Sequence, residues 1–244
     1  MLICAIDTSG REGSLALAEA NYPTQANRGL EWGTRGCEFT VLHAAGIAGG
    51  TYSAQLIPTL SAALAETGKQ RSDIGLLVVA SGPGSFTGLR VGLSTVKALA
   101  EVLHVPVVAI SVLEAIAFAS GKQGVMLSAL DAQRNEVFVG EFEVGTDSIT
   151  TVREALVTGE DFVSWLSGKS VTTFTPDTTI EARLREANAS VERSARPSAE
   201  TYARLGFRKH LAGETSAIDE LDANYIRRSD AEIFSAPKLG IKST

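Results

Sequence analysis

Residues able to do chemistry gather in two stretches of this chain. The first is Asp7-Thr8-Ser9, which follows the apolar run Leu2-Ile3-Cys4-Ala5-Ile6. An acidic residue and two hydroxyls at a strand end can hold phosphate or magnesium; equally they can form a plain turn, with the side chains bonded to nearby amides. The second stretch is Ser81-Gly82-Pro83-Gly84-Ser85, with Gly88 close behind it. Gly82, Gly84 and Gly88 allow positive φ or a close backbone approach, and Pro83 sets a turn between two of them. A helix follows at once, and its first amides lack partners within the helix. Strand, glycine loop and helix N-terminus therefore have the makings of an anion cradle. The competing reading is a tight strand-to-helix turn that holds no ligand.

Standard motifs do not decide between these readings. A P-loop needs four residues between its glycines and then Lys-Ser/Thr, whereas Phe86 and Thr87 follow Ser85 before Gly88, and Leu89-Arg90 comes next. The spacing of Gly82, Gly84 and Gly88 does not match GxGxxG, and no GxSxG elbow occurs in the chain. His43, His104 and His210 stand far apart and read as ordinary surface or loop histidines.

The elements that must position these residues follow from periodicity. Residues 76–80 form a short valine-rich run ending at the glycine loop, which predicts a buried strand. The helix predicted over 89–103 confines its polar residues Arg90, Ser94, Lys97 and Glu101 to one stripe. A second helix, predicted over 53–66, carries no charge before Glu66, so both helices have more apolar surface than one sheet can cover. Pro58 within it predicts a kink or a late start. Strands are predicted at 2–6, 13–20, 37–45 and 105–110, with a polar loop over 21–36. A linker helix is expected over 111–119. Beyond it the pattern repeats, with strands at 125–130, 137–144, 149–152 and 171–174 and helices at 160–166 and 180–186. A helix over 199–211 and a polar exit over 222–229 complete the chain. Two βββαβα copies imply a duplicated α/β fold, divided at 110/111, with the 199–211 helix packing back on the first half.

Composition narrows the function. At 244 residues and 44% apolar content the chain can bury a sizeable core. A net charge of −6 argues against a protein that holds nucleic acid alone. Cys4 and Cys37 read as free thiols of a cytoplasmic protein, and no run is long enough to span a membrane.

Several stretches together carry a resemblance: Ala5-Ile6-Asp7-Thr8-Ser9, residues 53–58, SGPGSFTGLRVGLST over 81–95, ISVLEAIA over 110–117, DAQRNEV over 131–137, and Asn224-Tyr225-Ile226-Arg227. In this order they resemble the TsaB (YeaZ) family, accessory subunits of the actin-like, ribonuclease H-like superfamily. The resemblance implies a non-catalytic scaffold that pairs with a TsaD-like catalytic subunit, joined by a TsaE-like ATPase. The assembly transfers a threonylcarbamoyl group to the adenosine beside the anticodon of tRNAs reading A-starting codons, and this chain meets tRNA only through the complex. The family's heterodimer uses two N-terminal helices, matching 53–66 and 89–103 here. Leu56, Ile57, Leu60, Leu64, Leu89, Arg90, Leu93, Ser94 and Lys97 are then the expected interface, and Leu93→Arg is expected to abolish the complex with the fold intact. TsaD-like proteins hold a metal with paired histidines, which this chain lacks, so no metal or catalytic site is expected. Asp7-Thr8-Ser9 becomes a candidate vestige of the superfamily's phosphate turn.

Two readings from other classes stay beside it. ATP or ADP could be held by Asp7 and the Gly82–Gly84 loop, which would make the chain a nucleotide-binding module. A glycoprotease-like peptidase would need Ser85 or Thr87 as nucleophile, and no motif supplies its base. Without a partner, the uncovered helices are expected to pair as a homodimer.

Overall fold

Every side chain of the first strand is buried, and neighbours along it face different layers. In β1 (Leu2–Asp7), Ile3 and Ala5 point into one core, and Leu2, Cys4 and Ile6 into another. A strand buried on both faces belongs in the middle of a sheet covered on both sides. The computed structural model, which describes residues 1–21, 38–146, 148–167, 169–224 and 226, places it there. Strand β1 pairs antiparallel with β2 (Glu12–Asn21), which pairs with β3 (Glu38–Ala48); on its other side it runs parallel to β4 (Ile74–Gly82), followed by β5 (Val107–Ser111). The order is β3-β2-β1-β4-β5.

The second half repeats this plan. Strands β6 (Gly124–Asp131), β7 (Glu136–Val144), β8 (Ile149–Thr158), β9 (Thr173–Thr175) and β10 (Val191–Arg193) make a sheet of order β10-β9-β6-β7-β8. Counted within each half, both sheets run 3-2-1-4-5. This is a duplicated α/β fold of the ribonuclease H-like class.

The helices are α1 (Tyr52–Glu66), α2 (Phe86–Leu103), α3 (Val112–Ala119), α4 (Gly159–Leu166), α5 (Thr178–Glu186) and α6 (Ala199–Leu211). Each copy is therefore βββαβαβα, one strand and one helix longer than the repeat expected from sequence. The fifth strand of the second copy was missed because Val191-Glu192-Arg193 is short and largely exposed. The 111–119 helix is no linker but the last helix of the first copy. Ser111 ends β5 and caps α3 through its hydroxyl, leaving no loop to mark the boundary. Helix α1 continues through Pro58. Pro58 and Ala54 both face solvent, so the carbonyl that loses its helical donor is not buried.

Five layers result. Helix α6 packs on β1 and β2, and α3 on β6 and β7, so the closing helix of each copy covers the other copy's sheet. The largest core lies between the sheets and joins Ile3, Val78 and Ile110 to Leu113, Ile116, Phe142 and Tyr202. A second core lies under α1 and α2, and a third under α4 and α5. Cys4 is buried and free, and burial pushes its thiol up to about 12. Cys37, residues 22–36, Tyr225 and residues 227–244 lie outside the described residues, so the expected loop and tail go with them. Among the described residues no helix is long and apolar enough to cross a membrane.

Candidate functional site

The glycines of the loop work by close approach. Gly82 has a φ of 113°, a conformation that favours glycine. A methyl group added at Gly84 would lie 2.3 Å from the Ser9 carbonyl oxygen, one at Gly88 2.0 Å from that of Thr8, and one at Gly92 2.4 Å from Thr8 Oγ1. The β1–β2 turn thus rests directly on the start of α2. Ser85 N donates to Ser9 O at 2.7 Å, and Thr8 Oγ1 donates to Gly88 O at 2.7 Å. Gly88 N donates to Ser85 Oγ at 3.3 Å, which caps the helix.

A phosphate would need these same donors. The Ser85 and Gly88 amides and the Thr8 hydroxyl are engaged within the protein, and the glycine positions are filled by the turn. At the start of α2, then, the close approach that the glycines allow is made by the β1–β2 turn of the chain itself. Asp7, Thr8 and Ser9 are buried in it, with Ser9 N donating to Asp7 Oδ1 at 2.8 Å.

Burial raises the Asp7 carboxyl above its ordinary value of 3.8, against the opposing pull of its Ser9 hydrogen bonds and of Arg196. A raised folded-state value means the folded protein holds this proton more tightly than the unfolded chain. Stability from this group is therefore greatest below 3.8 and is lost as pH rises through the raised value. Asp7→Asn keeps an acceptor for the Ser9 amide and removes the titration. Its melting temperature relative to wild type is expected to climb as pH rises from 3.8 through the raised value, and a difference constant with pH would refute the assignment.

The turn faces an open cleft of about 1960 Å³ between the two halves. Opposite it stands the equivalent turn of the second copy, where Gln133 N donates to Asp131 Oδ1 at 2.8 Å, as Ser9 N does to Asp7. Gln133, Arg134 and Asn135 there have φ of 64°, 53° and 62°, three successive non-glycine residues in the left-handed region. Asn135 is held by Arg183 Nη2, which donates to its Oδ1 at 2.6 Å.

The expected interface divides in two. Leu56, Leu60, Leu64, Leu89 and Leu93 are buried beneath α1 and α2 in the core against the first sheet, so they cannot present side chains to a partner. Large apolar residues at helical spacing mark the face that meets the chain's own sheet first. Ile57, Arg90 and Ser94 are exposed and Lys97 half-buried on the outer side. Ile57 is 48% exposed, and with it stand Phe86 at 47% and Val102 at 72%, two positions that sequence reasoning did not single out. Ala54, Ser61, Ala62 and Ala98 are exposed on the same two helices. The Arg90 guanidinium lies 3.9 Å from the centre of the Phe86 ring.

The histidines lie apart. His43 sits on β3, 3.2 Å from Glu66; His104 ends α2 in a left-handed conformation; His210 is in the last turn of α6. Among the described residues no three metal-binding side chains come together.

A protein-family model described as "TsaD: tRNA N6-adenosine threonylcarbamoyltransferase" matches residues 46–192. The tRNA threonylcarbamoyladenosine biosynthesis protein TsaB of Bacillus subtilis is 28% identical over 74% of this chain and 82% of its own length. TsaB of Escherichia coli shows the same identity over the same shares. The solved structure of YeaZ from Pseudomonas aeruginosa superposes with a TM-score of 0.70 over 92% of this chain and 99% of that one, at 22% identity, a likeness of fold. With a family model spanning more than half the chain and TsaB relatives aligned along most of theirs, the chain belongs to the TsaB (YeaZ) family.

Proposed function

We propose that this chain is a non-catalytic subunit in tRNA threonylcarbamoyladenosine biosynthesis. It binds and activates a TsaD-like catalytic subunit through the outer face of α1 and α2. The observation that carries this reading is the composition of that face. A helix pair closing a sheet ordinarily turns charge to solvent, yet α1 has no charged residue before Glu66, and Ile57, Phe86 and Val102 are exposed large apolar groups. The names of the TsaB relatives supply the pathway. In this reading a TsaE-like ATPase joins the pair in the cytoplasm, and the chain meets tRNA, of the A-starting codon class, only through the assembly. Alone, it pairs with a second copy through the same face.

Light scattering on the chain mixed with its TsaD-like subunit should show a new species of one copy of each. Ile57→Arg places a charge on the outer side of α1 without entering the core. It is expected to weaken the complex at least about tenfold and to leave the melting temperature near that of wild type. Unchanged affinity in that variant would overturn the reading.

A further inference from the structure

Four segments of the chain meet in a polar junction beside the glycine loop that the helix face does not account for. Ser81 lies near the end of β4, immediately before the loop. Ser111 ends β5 and caps α3, accepting from Leu113 N at 3.2 Å. Glu154 comes from β8, the far edge of the other sheet. Asn224 comes from the segment that follows α6. The Glu154 carboxylate is engaged at both oxygens: Ser111 Oγ donates to Oε1, and Asn224 Nδ2 donates to Oε2 at 2.6 Å. The Asn224 backbone N–H in turn donates to Ser81 O at 2.7 Å.

The segment that delivers Asn224 is anchored along its length. Ser216 N donates to Val107 O at 2.8 Å, and Ser216 Oγ accepts from Ala109 N at 3.1 Å, so residues 212–224 attach to the open edge of the first sheet. Leu221 and Ala223 are buried in the core beneath α1 and α2. Asn224 then crosses to the cleft, where its carbonyl oxygen would lie 3.3 Å from a methyl group at Gly82. The strap therefore leaves the core that supports α1 and α2, braces the first glycine of the loop, and ends on a carboxylate of the second half.

Glu154 is an unusual anchor for a purely structural contact. Burial raises its carboxyl, and its two hydrogen-bond donors are neutral. A carboxylate so placed is retained more readily for a specific geometry than for net stability. We propose that Asn224 and Glu154 form a latch that fastens the strap across both halves and holds the glycine loop, and with it the first turn of α2, in the arrangement on which partner binding depends. Glu154 is then a positioning residue: it touches no partner and acts through Asn224. The inference rests on the proposed role of the α1–α2 face and says how the second half bears on it.

The test uses the full chain and three variants, Asn224→Ala, Glu154→Ala and Glu154→Gln, with Val139→Ala in the core under α4 and α5 as a control for general loss of stability. Amide hydrogen exchange over residues 82–90 of the free chain is expected to speed up about tenfold or more in the two alanine variants, with the amides of α5 unchanged. Affinity for the TsaD-like subunit should fall about tenfold in the same two. Glu154→Gln, which keeps an acceptor, should restore most of both. The control should lower the melting temperature without a selective change at 82–90. Exchange over 82–90 unchanged in Asn224→Ala would overturn the latch, and faster exchange with unaltered affinity would overturn its link to the partner. If instead Ile57→Arg leaves the complex intact, the partner-face reading fails while the exchange experiment still judges the latch.

Discussion

Leu93→Arg is expected to yield a protein that does not fold, not a folded protein that has lost its partner. Leu93 is 4% exposed and belongs to the core formed with Ile6, Leu17, Leu56 and Val79. Arginine there would either bury a guanidinium among apolar groups or pull α2 off the sheet. An unpaired charge in such a place costs at least several kcal/mol, comparable with the whole stability of about 5–15 kcal/mol of an ordinary domain. Circular dichroism should show no cooperative melt, or one far below wild type. A melt within a few degrees of wild type would mean that position 93 reaches solvent. Sequence reasoning took this variant for a clean probe of the interface because it assigned the leucines of both helices to the partner. With those leucines on the chain's own sheet, Ile57 becomes the informative position, and a failed complex in Leu93→Arg would say nothing about binding.

Gly88→Ala should be the most damaging small substitution in the molecule's glycine loop. The added carbon would meet the Thr8 carbonyl oxygen at 2.0 Å, and the hydrogen bond from Thr8 Oγ1 to Gly88 O sits on the same contact. Relief requires the β1–β2 turn to lift from α2. That breaks the turn's seal and loosens Tyr52, whose hydroxyl donates to Gly10 O at 2.9 Å. The expected loss is about 3 kcal/mol, or roughly 10 °C in melting temperature for a chain of this length. Gly46→Ala is the control, since nothing lies within 4 Å of its added carbon. A stable Gly88→Ala protein would restore the phosphate-cradle reading, in which the glycine makes room for a ligand and its loss affects binding alone.

These two expectations share a cause. The loop and α2 are held from three sides: by the turn that fills the glycines, by the core beneath the helix, and by the strap that ends on Glu154. Among the described residues nothing covers the outer face of α1 and α2. A helix pair so held loses little conformational freedom when a partner covers it, which suits the role proposed for this face.

Much of this was legible in the residues. Period-2 and unbroken apolar runs located nine of the ten strands among the described residues, though 149–152 reached only the first part of β8 and 171–174 only overlapped β9, and they announced the duplication. The Asp that ends both β1 and β6 stands in the sequence at 7 and 131, but only the superposition of the two copies shows the turns as equivalent. The surplus of apolar surface, read from the missing charges, pointed to the two helices now proposed to meet the partner. Less legible were features whose signal is small or remote. Strand β10 is three residues long and polar, and α3 begins with no loop to set it off. Which stripe of each helix faces the sheet was misjudged, because composition counts apolar residues without saying which of two neighbours each will meet. The glycine loop posed the same difficulty. Its spacing showed that something approaches the backbone closely, and a phosphate and a peptide turn make that demand alike. The choice fell to Thr8 and Ser9, some 80 residues away in sequence, and such pairings between distant segments depend on the packing of whole layers rather than on any local pattern. For the same reason nothing in Asn224 or Glu154 alone announced their junction. Local chemistry told which elements this chain would form, and the stacking of its two sheets settled which residues those elements would bring together.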